Sequence, residues 1–152
     1  MKPEISGIDA KHVYLLRNHS DQESIKKQAA SVRKGIVIIG SGFVGSEMAA
    51  ALKSKYKGEV EVHMVSREEY PLELHLGKEI GGMVLEQHEQ SGVKVHMKNE
   101  VKEIQKDYNG DVSGVQLKCG SLIEADMVIA ATGIAPATKF LDRTETGIKL
   151  DD

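Results

Sequence analysis

The sequence predicts an α/β domain in which helices cover a parallel β-sheet and an antiparallel β-meander replaces one connecting helix. Three observations support this fold class. The segments 36–39 and 127–131 are continuously apolar, which is typical of parallel strands buried on both faces. A glycine-rich turn and a segment with helical periodicity follow the first of them. Short alternating segments between residues 101 and 124 then indicate antiparallel strands.

The composition is typical of one globular domain. The chain has 152 residues, of which 40% are hydrophobic and 28% are charged. A chain of this length buries roughly 68–70% of its unfolded surface on folding. The apolar content excludes disorder as the main state, and the longest apolar runs fall far short of the about 20 residues that span a membrane.

Charge and cysteine content exclude further classes. The 20 Lys and Arg residues against 23 Asp and Glu residues give a net charge of −3, which provides no basic field for nucleic acid. A single cysteine, Cys119, excludes an internal disulfide and a redox-active cysteine pair. Because no apolar segment follows Met1, we predict no secretory signal and expect an intracellular location, cytoplasmic or organellar.

The first half of the chain begins with a lead-in over residues 1–34, which predicts a strand at 12–16 and a helix at 21–32. Ser20 and Glu23 have the spacing of a capping box at the start of this helix. A buried strand at 35–40 then leads into a helix at 43–57. Gly58 lies where a glycine would end that helix. A strand at 59–66 follows.

The second half begins with a helix at 77–91 and a strand at 93–97. The pair Gly81-Gly82 lies within this helix, where each glycine costs about 1 kcal/mol relative to alanine. Three strands of the meander are predicted at 101–106, 112–117 and 122–124, with turns at Asn109-Gly110 and 119–121. A buried strand at 127–131 runs into Thr132-Gly133.

The turn Gly40-Ser41-Gly42-Phe43-Val44-Gly45 has the spacing GxGxxG between an apolar strand and an amphipathic helix. In this context the first glycine permits a tight turn, the second lets a pyrophosphate approach the backbone, and the third lets the helix lie close to the sheet. The N–H groups and the dipole of the helix favour phosphate at this end. The motif predicts a Rossmann-like dinucleotide site; a packing turn without a ligand is the alternative.

The end of the second parallel strand indicates which nicotinamide cofactor binds. An acidic residue there binds the ribose 2′-OH of NAD, whereas an arginine nearby suits the 2′-phosphate of NADP. Ser66 lies 21 residues after Gly45 and Arg67 follows it, so the acid is missing and a guanidinium stands beside its place. We therefore favour NADPH slightly. Glu68 and Glu69 leave open an acidic contact with the ribose, or an ion pair with Arg67 at the surface.

These residues resemble the NAD(P)H-binding domain of the FAD-dependent pyridine nucleotide–disulphide oxidoreductase superfamily. The resemblance extends over nearly the whole chain and rests on residues 36–47, on the meander, and on residues 131–136. Residues 68–79 and 136–141 resemble the apoptosis-inducing-factor-like branch, whose members often carry a Rieske iron–sulfur domain. The resemblance implies that 35–135 is the NAD(P)H-binding domain, and that 1–34 and 136–152 link it to a flavin-binding domain.

The resemblance also implies roles for single residues. Glu47 matches a glutamate near the contact between flavin and nicotinamide, which pairs with a lysine of the flavin domain. Phe43 matches a position that gates the nicotinamide pocket, and Gly133 and Ile134 match a loop that borders the cofactor. The predicted cofactor-binding residues are Gly40, Gly42, Phe43, Val44, Gly45, Glu47, Ser66, Arg67, Gly133 and Ile134.

The chain therefore resembles the excised middle domain of a longer flavoenzyme. We find no second GxGxxG for FAD and no redox-active cysteine pair. FAD is expected in the parent protein and not on this chain. There the resemblance implies hydride transfer from nicotinamide C4 to flavin N5, chemistry that belongs to the cofactors. The expected partners are the flavin-binding domain of the parent chain and an electron acceptor, such as a Rieske domain or protein. We name no catalytic residue here, and we expect the isolated chain to bind nucleotide without turnover.

Two other functions stay open at this level. The chain could be a non-catalytic NAD(H)-sensing or interaction module, although such modules usually continue with further strand–helix pairs. It could also be a remnant whose glycines persist for packing. The six histidines show no HxH or HxxxH spacing, so we predict no metal site.

Overall fold

The computed structural model describes residues 3–56 and 58–135. Within these ranges the elements follow the predicted order, and the meander lies between the fourth and the last strand of the main sheet. The elements are β1 (Val13–Leu15), α1 (His19–Ala29), β2 (Gly35–Ile39), α2 (Phe43–Lys55), β3 (Glu61–Val65), α3 (Glu73–Gln90), β4 (Lys94–His96), β5 (Val101–Lys106), β6 (Val112–Leu117), β7 (Leu122–Glu124) and β8 (Met127–Ala130). The predictions made for residues 136–152 lie outside the described ranges.

Five strands form a parallel sheet in the order β1-β8-β2-β3-β4. The central strand β2 pairs with β8 on one side and β3 on the other, so that Ile38 lies between Ile129 and Met64. Strands β5, β6 and β7 form a separate antiparallel sheet. The prediction of a parallel sheet with a β-meander is therefore confirmed.

Two apolar cores lie on opposite faces of the parallel sheet, because neighbouring residues of a strand point to opposite faces. Ile36 and Ile38 pack with residues of α1 and α2, whereas Val37 and Ile39 pack with residues of the meander. These four side chains are buried, and full burial of each contributes roughly 1.5–3 kcal/mol relative to an exposed position. The result is three layers: helices, parallel sheet and meander.

Helix α1 begins earlier than predicted. Its capping box is formed by Asn18 and Asp21, not by Ser20 and Glu23. The Asn18 side-chain oxygen accepts a hydrogen bond from the main-chain N–H of Asp21 at 3.0 Å, and the Asp21 carboxylate accepts one from the N–H of Asn18 at 3.2 Å. Ser20 lies within the first turn, and its hydroxyl donates to the Asn18 side chain at 2.6 Å. Ser20 and Glu23 therefore have the spacing of a capping box, but they lie two positions after the residues that form it.

Helix α3 also begins earlier than predicted, at Glu73 instead of residue 77. Leu72, the preceding residue, adopts a left-handed conformation with φ 58°. Gly77 has φ 79° and kinks the helix near its start, so the glycine marks a bend and not a beginning. Gly81 allows the close approach of the preceding loop, because a β-carbon there would lie 2.8 Å from the carbonyl oxygen of Pro71. Among the described residues, no helix combines the length and hydropathy needed to cross a bilayer.

Candidate functional site

The glycine loop joins β2 to α2 at the carboxyl edge of the parallel sheet. Gly40 adopts φ 107°, which favours glycine, and its N–H donates to the carbonyl oxygen of Val65 at 2.8 Å. A β-carbon on Gly45 would collide with the carbonyl oxygen of Gly40. The first and third glycines of the motif thus let the loop and the helix touch through main-chain atoms, as the sequence predicted.

Gly42 differs from these two glycines because it faces open space. It is the N-cap residue of α2 and, as a glycine, provides no side-chain hydrogen bond to cap the helix. A β-carbon placed on Gly42 would have no atom within 4 Å. The first turn of a helix has N–H groups without intrahelical partners and carries a partial positive charge. The space beside Gly42 therefore suits a phosphate group, which a side chain at this position would obstruct.

Three apolar side chains are exposed at this edge of the sheet. Phe43 is 50% exposed, Val44 is 42% exposed and Ile134 is 75% exposed. The ring of Phe43 packs against the ring of His75, with their centroids 5.1 Å apart. Ile134 and Gly133 follow β8, whose end lies beside the end of β2 because the N–H of Ala131 donates to the carbonyl of Ile39 at 2.8 Å.

Two more predicted positions are accessible near the loop. Gly133 has φ 95°, and a β-carbon there would meet no atom within 4 Å. Glu47 is exposed on α2, one turn after Phe43. The structure therefore brings the predicted loop residues, the start of α2 and the segment after β8 to one edge of the sheet.

A chain of hydroxyl groups connects the glycine loop to the end of β3. The buried hydroxyl of Ser41 donates to that of Ser66 at 2.8 Å. Ser66 in turn donates to the carboxylate of Glu68. Burial raises the pKa of Glu68, but the Ser66 hydroxyl, a main-chain N–H and the nearby Arg67 outweigh burial, so its pKa lies below the ordinary value. Glu68 is thus a carboxylate fixed at the strand end.

The second glutamate is held by two lysines. Glu69 forms ion pairs with Lys78 at 2.7 Å and with Lys98 at 2.6 Å. Hydrogen bonds from Lys78 and then Lys98 lower the pKa of this exposed carboxyl to about 2. Among the described residues, the exposed side chain of Arg67 has no ion pair and no hydrogen bond. The surface ion pair considered from sequence is therefore not formed.

Arg67 lines a shallow cavity of about 360 Å³ together with residues that sequence analysis did not connect to it. The other lining residues are Lys98, Asn99, Glu100, Lys118 and Cys119. The missed signal lies in the parallel register, because residues after β4 fall beside residues after β3. The Cys119 thiol has its pKa lowered to about 7 by hydrogen bonding to the Ser121 hydroxyl and the Asn99 amide.

The histidines do not form a metal centre in the described part of the chain, where no group of three or more potential ligands is assembled. His63 on β3 and His96 on β4 are nevertheless neighbours. Their rings stack at 5.3 Å between centroids, with Nδ1 of His63 and Nε2 of His96 3.0 Å apart. The second nitrogen of His63 faces the Glu61 carboxylate at 3.3 Å.

Curated relatives share sequence with nearly the whole chain. Human apoptosis-inducing factor 3 is 32% identical over 145 residues, which are 95% of this chain and 23% of that protein. Rhodocoxin reductase of Rhodococcus erythropolis is 29% identical over 152 residues, which are 97% of this chain and 34% of that protein. The chain thus spans about a quarter to a third of the length of these relatives.

Solved structures and a family signature agree with this relationship. A NAD-dependent persulfide reductase from A. fulgidus has a TM-score of 0.85 and 29% identity, over 99% of this chain and 27% of its own. An FAD-dependent pyridine nucleotide-disulphide oxidoreductase from Desulfovibrio vulgaris has a TM-score of 0.81 and 27% identity, over 99% of this chain and 37% of its own. The signature of the pyridine nucleotide-disulphide oxidoreductases matches residues 1–152. The chain therefore belongs to the pyridine nucleotide-disulphide oxidoreductase family.

Proposed function

We propose that this chain is the NAD(P)H-binding domain of an FAD-dependent oxidoreductase. The single observation that carries the proposal is the contrast within the glycine loop: Gly40 and Gly45 are needed for packing, whereas Gly42 faces open space at the N-terminus of α2. A packing turn would not need the second glycine. A pyrophosphate bound at these N–H groups does need it, because a side chain there would obstruct its approach.

The chain's own residues would orient the cofactor. The N–H groups at the start of α2 would hold the pyrophosphate, and Ser66 and Arg67 would border the adenosine ribose. Phe43, Val44 and Ile134, which are exposed and apolar, would contact the nicotinamide end and exclude water there. These residues would thereby hold the nicotinamide where, when bound, it would supply hydride to the flavin of the parent protein.

We further propose that the 2′-phosphate of NADPH is recognised by Arg67. Each neighbouring acid already has a partner: Glu68 accepts from Ser66, and Glu69 is paired with Lys78 and Lys98. Because Arg67 has no such partner among the described residues, its guanidinium is available to a phosphate, with which it can form paired hydrogen bonds. The competing interpretation is that Glu68 binds the ribose hydroxyls of NADH.

The domain division and the partners are also proposals. Residues 35–135 would form the nucleotide-binding unit, and 1–34 and 136–152 would connect it to the flavin-binding domain. That domain would cover Phe43, Val44 and Ile134, and Glu47 would face one of its lysines. The relatives include a reductase of rhodocoxin, which supports a separate electron acceptor. A Rieske domain or protein is our proposal for that acceptor.

Calorimetric titration of the chain with NADPH and, separately, NADH tests the function. We expect NADPH to bind more tightly and to lose this advantage in Arg67→Ala. Arg33→Ala is the matched control, because Arg33 is exposed and lies before β2, at the opposite edge of the sheet. Tighter binding of NADH would overturn the role of Arg67 and favour Glu68. Failure of both nucleotides to bind at millimolar concentration would overturn nucleotide binding by this chain.

A further inference from the structure

We infer that Lys98 is a second residue, beside Arg67, that selects the 2′-phosphate of NADPH. The inference rests on the proposed function and adds to it a residue from a different strand connection. Lys98 follows β4, 31 positions after Arg67 in the sequence, and lies outside the GxGxxG motif of residues 40–45.

Main-chain hydrogen bonds fix the segment of Lys98 against the segment of Arg67. The N–H of Ser66 donates to the carbonyl of His96 at 3.1 Å, and the N–H of Asn99 donates to the carbonyl of Ser66 at 2.9 Å. The N–H of Lys98 itself donates to the carbonyl of Glu68 at 2.9 Å. These bonds extend the β3–β4 pairing beyond the strands, so both cations line the same cavity.

The local charge balance favours an anion. The side chains that line the cavity include three cations, Arg67, Lys98 and Lys118, and one carboxylate, Glu100. Outside this lining, Lys98 shares Glu69 with Lys78, and Lys78 also lies 3.7 Å from Glu73. The remaining cavity lysine, Lys118, pairs with Glu100 at 2.9 Å and cancels its charge. Within the cavity lining, the surplus positive charge therefore belongs to Arg67 and Lys98.

The backbone of Lys98 gives a second argument. It adopts φ 52°, in the left-handed region that glycine and asparagine occupy more readily than lysine. A lysine at this position is therefore not explained by backbone preference. Its side chain explains it better, because the ammonium group lies where it can exchange the exposed carboxylate of Glu69 for a phosphate dianion.

The experiment uses adenosine 2′,5′-bisphosphate and adenosine 5′-monophosphate as probes in calorimetric titrations of the full chain. The variant Lys98→Asn removes the ammonium group while keeping a residue that tolerates the left-handed backbone. We expect it to weaken the bisphosphate roughly three- to tenfold and to leave the monophosphate unchanged, since an exposed charge-assisted contact contributes this much. Glu69→Gln, which releases Lys98, should strengthen bisphosphate binding.

Lys94→Asn is the matched control. Lys94 also pairs with a glutamate, Glu61, but lies at the opposite end of β4, so its loss should affect neither probe. Equal weakening of both probes by Lys98→Asn, or no weakening, would overturn the inference. If Arg67→Ala still lowered the preference for the bisphosphate, the proposed function would survive that result. If neither probe nor either nucleotide bound, both would be overturned.

Discussion

The carbonyl oxygen of Gly40 occupies the space that a β-carbon on Gly45 would need. The two glycines are five positions apart, and their contact holds the first turn of α2 against the end of β2. Gly42, which lies between them in the sequence, takes no part in this contact. Packing and the proposed nucleotide binding therefore depend on different glycines of one motif, and single substitutions can separate them.

Alanine at Gly45 should destabilise the fold, and alanine at Gly42 should not. Gly45→Ala inserts a methyl group against a main-chain carbonyl, which we expect to lower the free energy of unfolding by about 2 kcal/mol. Gly42→Ala meets no atom and keeps an allowed backbone, since φ is −71°. Denaturant unfolding measures the stability of both variants, and NAD(P)H titration measures the effect of Gly42→Ala on nucleotide binding.

The expected result for Gly42→Ala is wild-type stability with nucleotide binding weakened at least tenfold, because the methyl group stands in the path of the pyrophosphate. Wild-type binding by this variant would mean that the pyrophosphate does not approach here. The loop would then be the packing turn that the sequence left open.

The adjacent glycines of α3 should respond in opposite directions. A β-carbon on Gly81 would lie 2.7 Å from the Tyr70 β-carbon, whereas one on Gly82 would come no closer than 3.9 Å to the Tyr70 ring. Gly81→Ala should therefore lower the unfolding free energy by about 1–3 kcal/mol. Gly82→Ala should raise it by up to about 1 kcal/mol, because alanine favours the helix. Thermal unfolding of both variants tests the pair, and a shift of the same sign in both would contradict this explanation.

Stability should fall as the pH decreases below about 6.5. Burial is the largest cause that lowers the pKa of His63, His88 and His96 from the ordinary value of 6.5. The unfolded chain therefore binds more protons than the folded chain just below that pH, so the free energy of unfolding rises with pH through this window. The stability contribution of the neutral histidines is complete above it. Unfolding between about pH 5 and 8, where carboxylates remain ionised, measures the slope.

His88 offers a variant for this measurement. Its Nε2 is buried without a hydrogen-bond partner in the part of the chain that the structure describes, and an unsatisfied buried group costs about 1–3 kcal/mol. His88→Leu should therefore raise the unfolding free energy by about 1 kcal/mol at neutral pH and flatten the pH dependence. Substitution of the exposed His19 by Gln should do neither. An unchanged slope in His88→Leu would remove His88 from the explanation.

Sequence analysis was most reliable where one local property decides the structure. Continuous apolarity predicted β2 and β8, and glycine spacing predicted the loop at Gly40. The start of α3 could not be read in this way, because a left-handed leucine precedes the helix and Gly77 bends it. Such a conformation is set by tertiary packing, which overrides local preference.

The surroundings of Arg67 depended on contacts distant in the sequence. Lys98 and Asn99 reach it only through the β3–β4 pairing, and Asn99 also contacts Cys119, 20 residues away. The distance from Gly45 along the sequence could indicate that Arg67 lies at the end of the second parallel strand. It could not show that Glu69 is paired with two lysines from other elements, which is what leaves the guanidinium accessible.

Strand β2 has apolar side chains on both faces, so hydrophobicity alone would tolerate a shift of one residue in its pairing. Glycines at its two ends remove that freedom. A β-carbon on Gly35 would lie 2.9 Å from the carbonyl oxygen of Glu124, and Gly40 requires a left-handed turn. The strand thus acts as a spacer whose length is set by main-chain contacts. Valine and isoleucine can therefore interchange along its interior while the glycine turn that follows keeps its position at the end of the sheet.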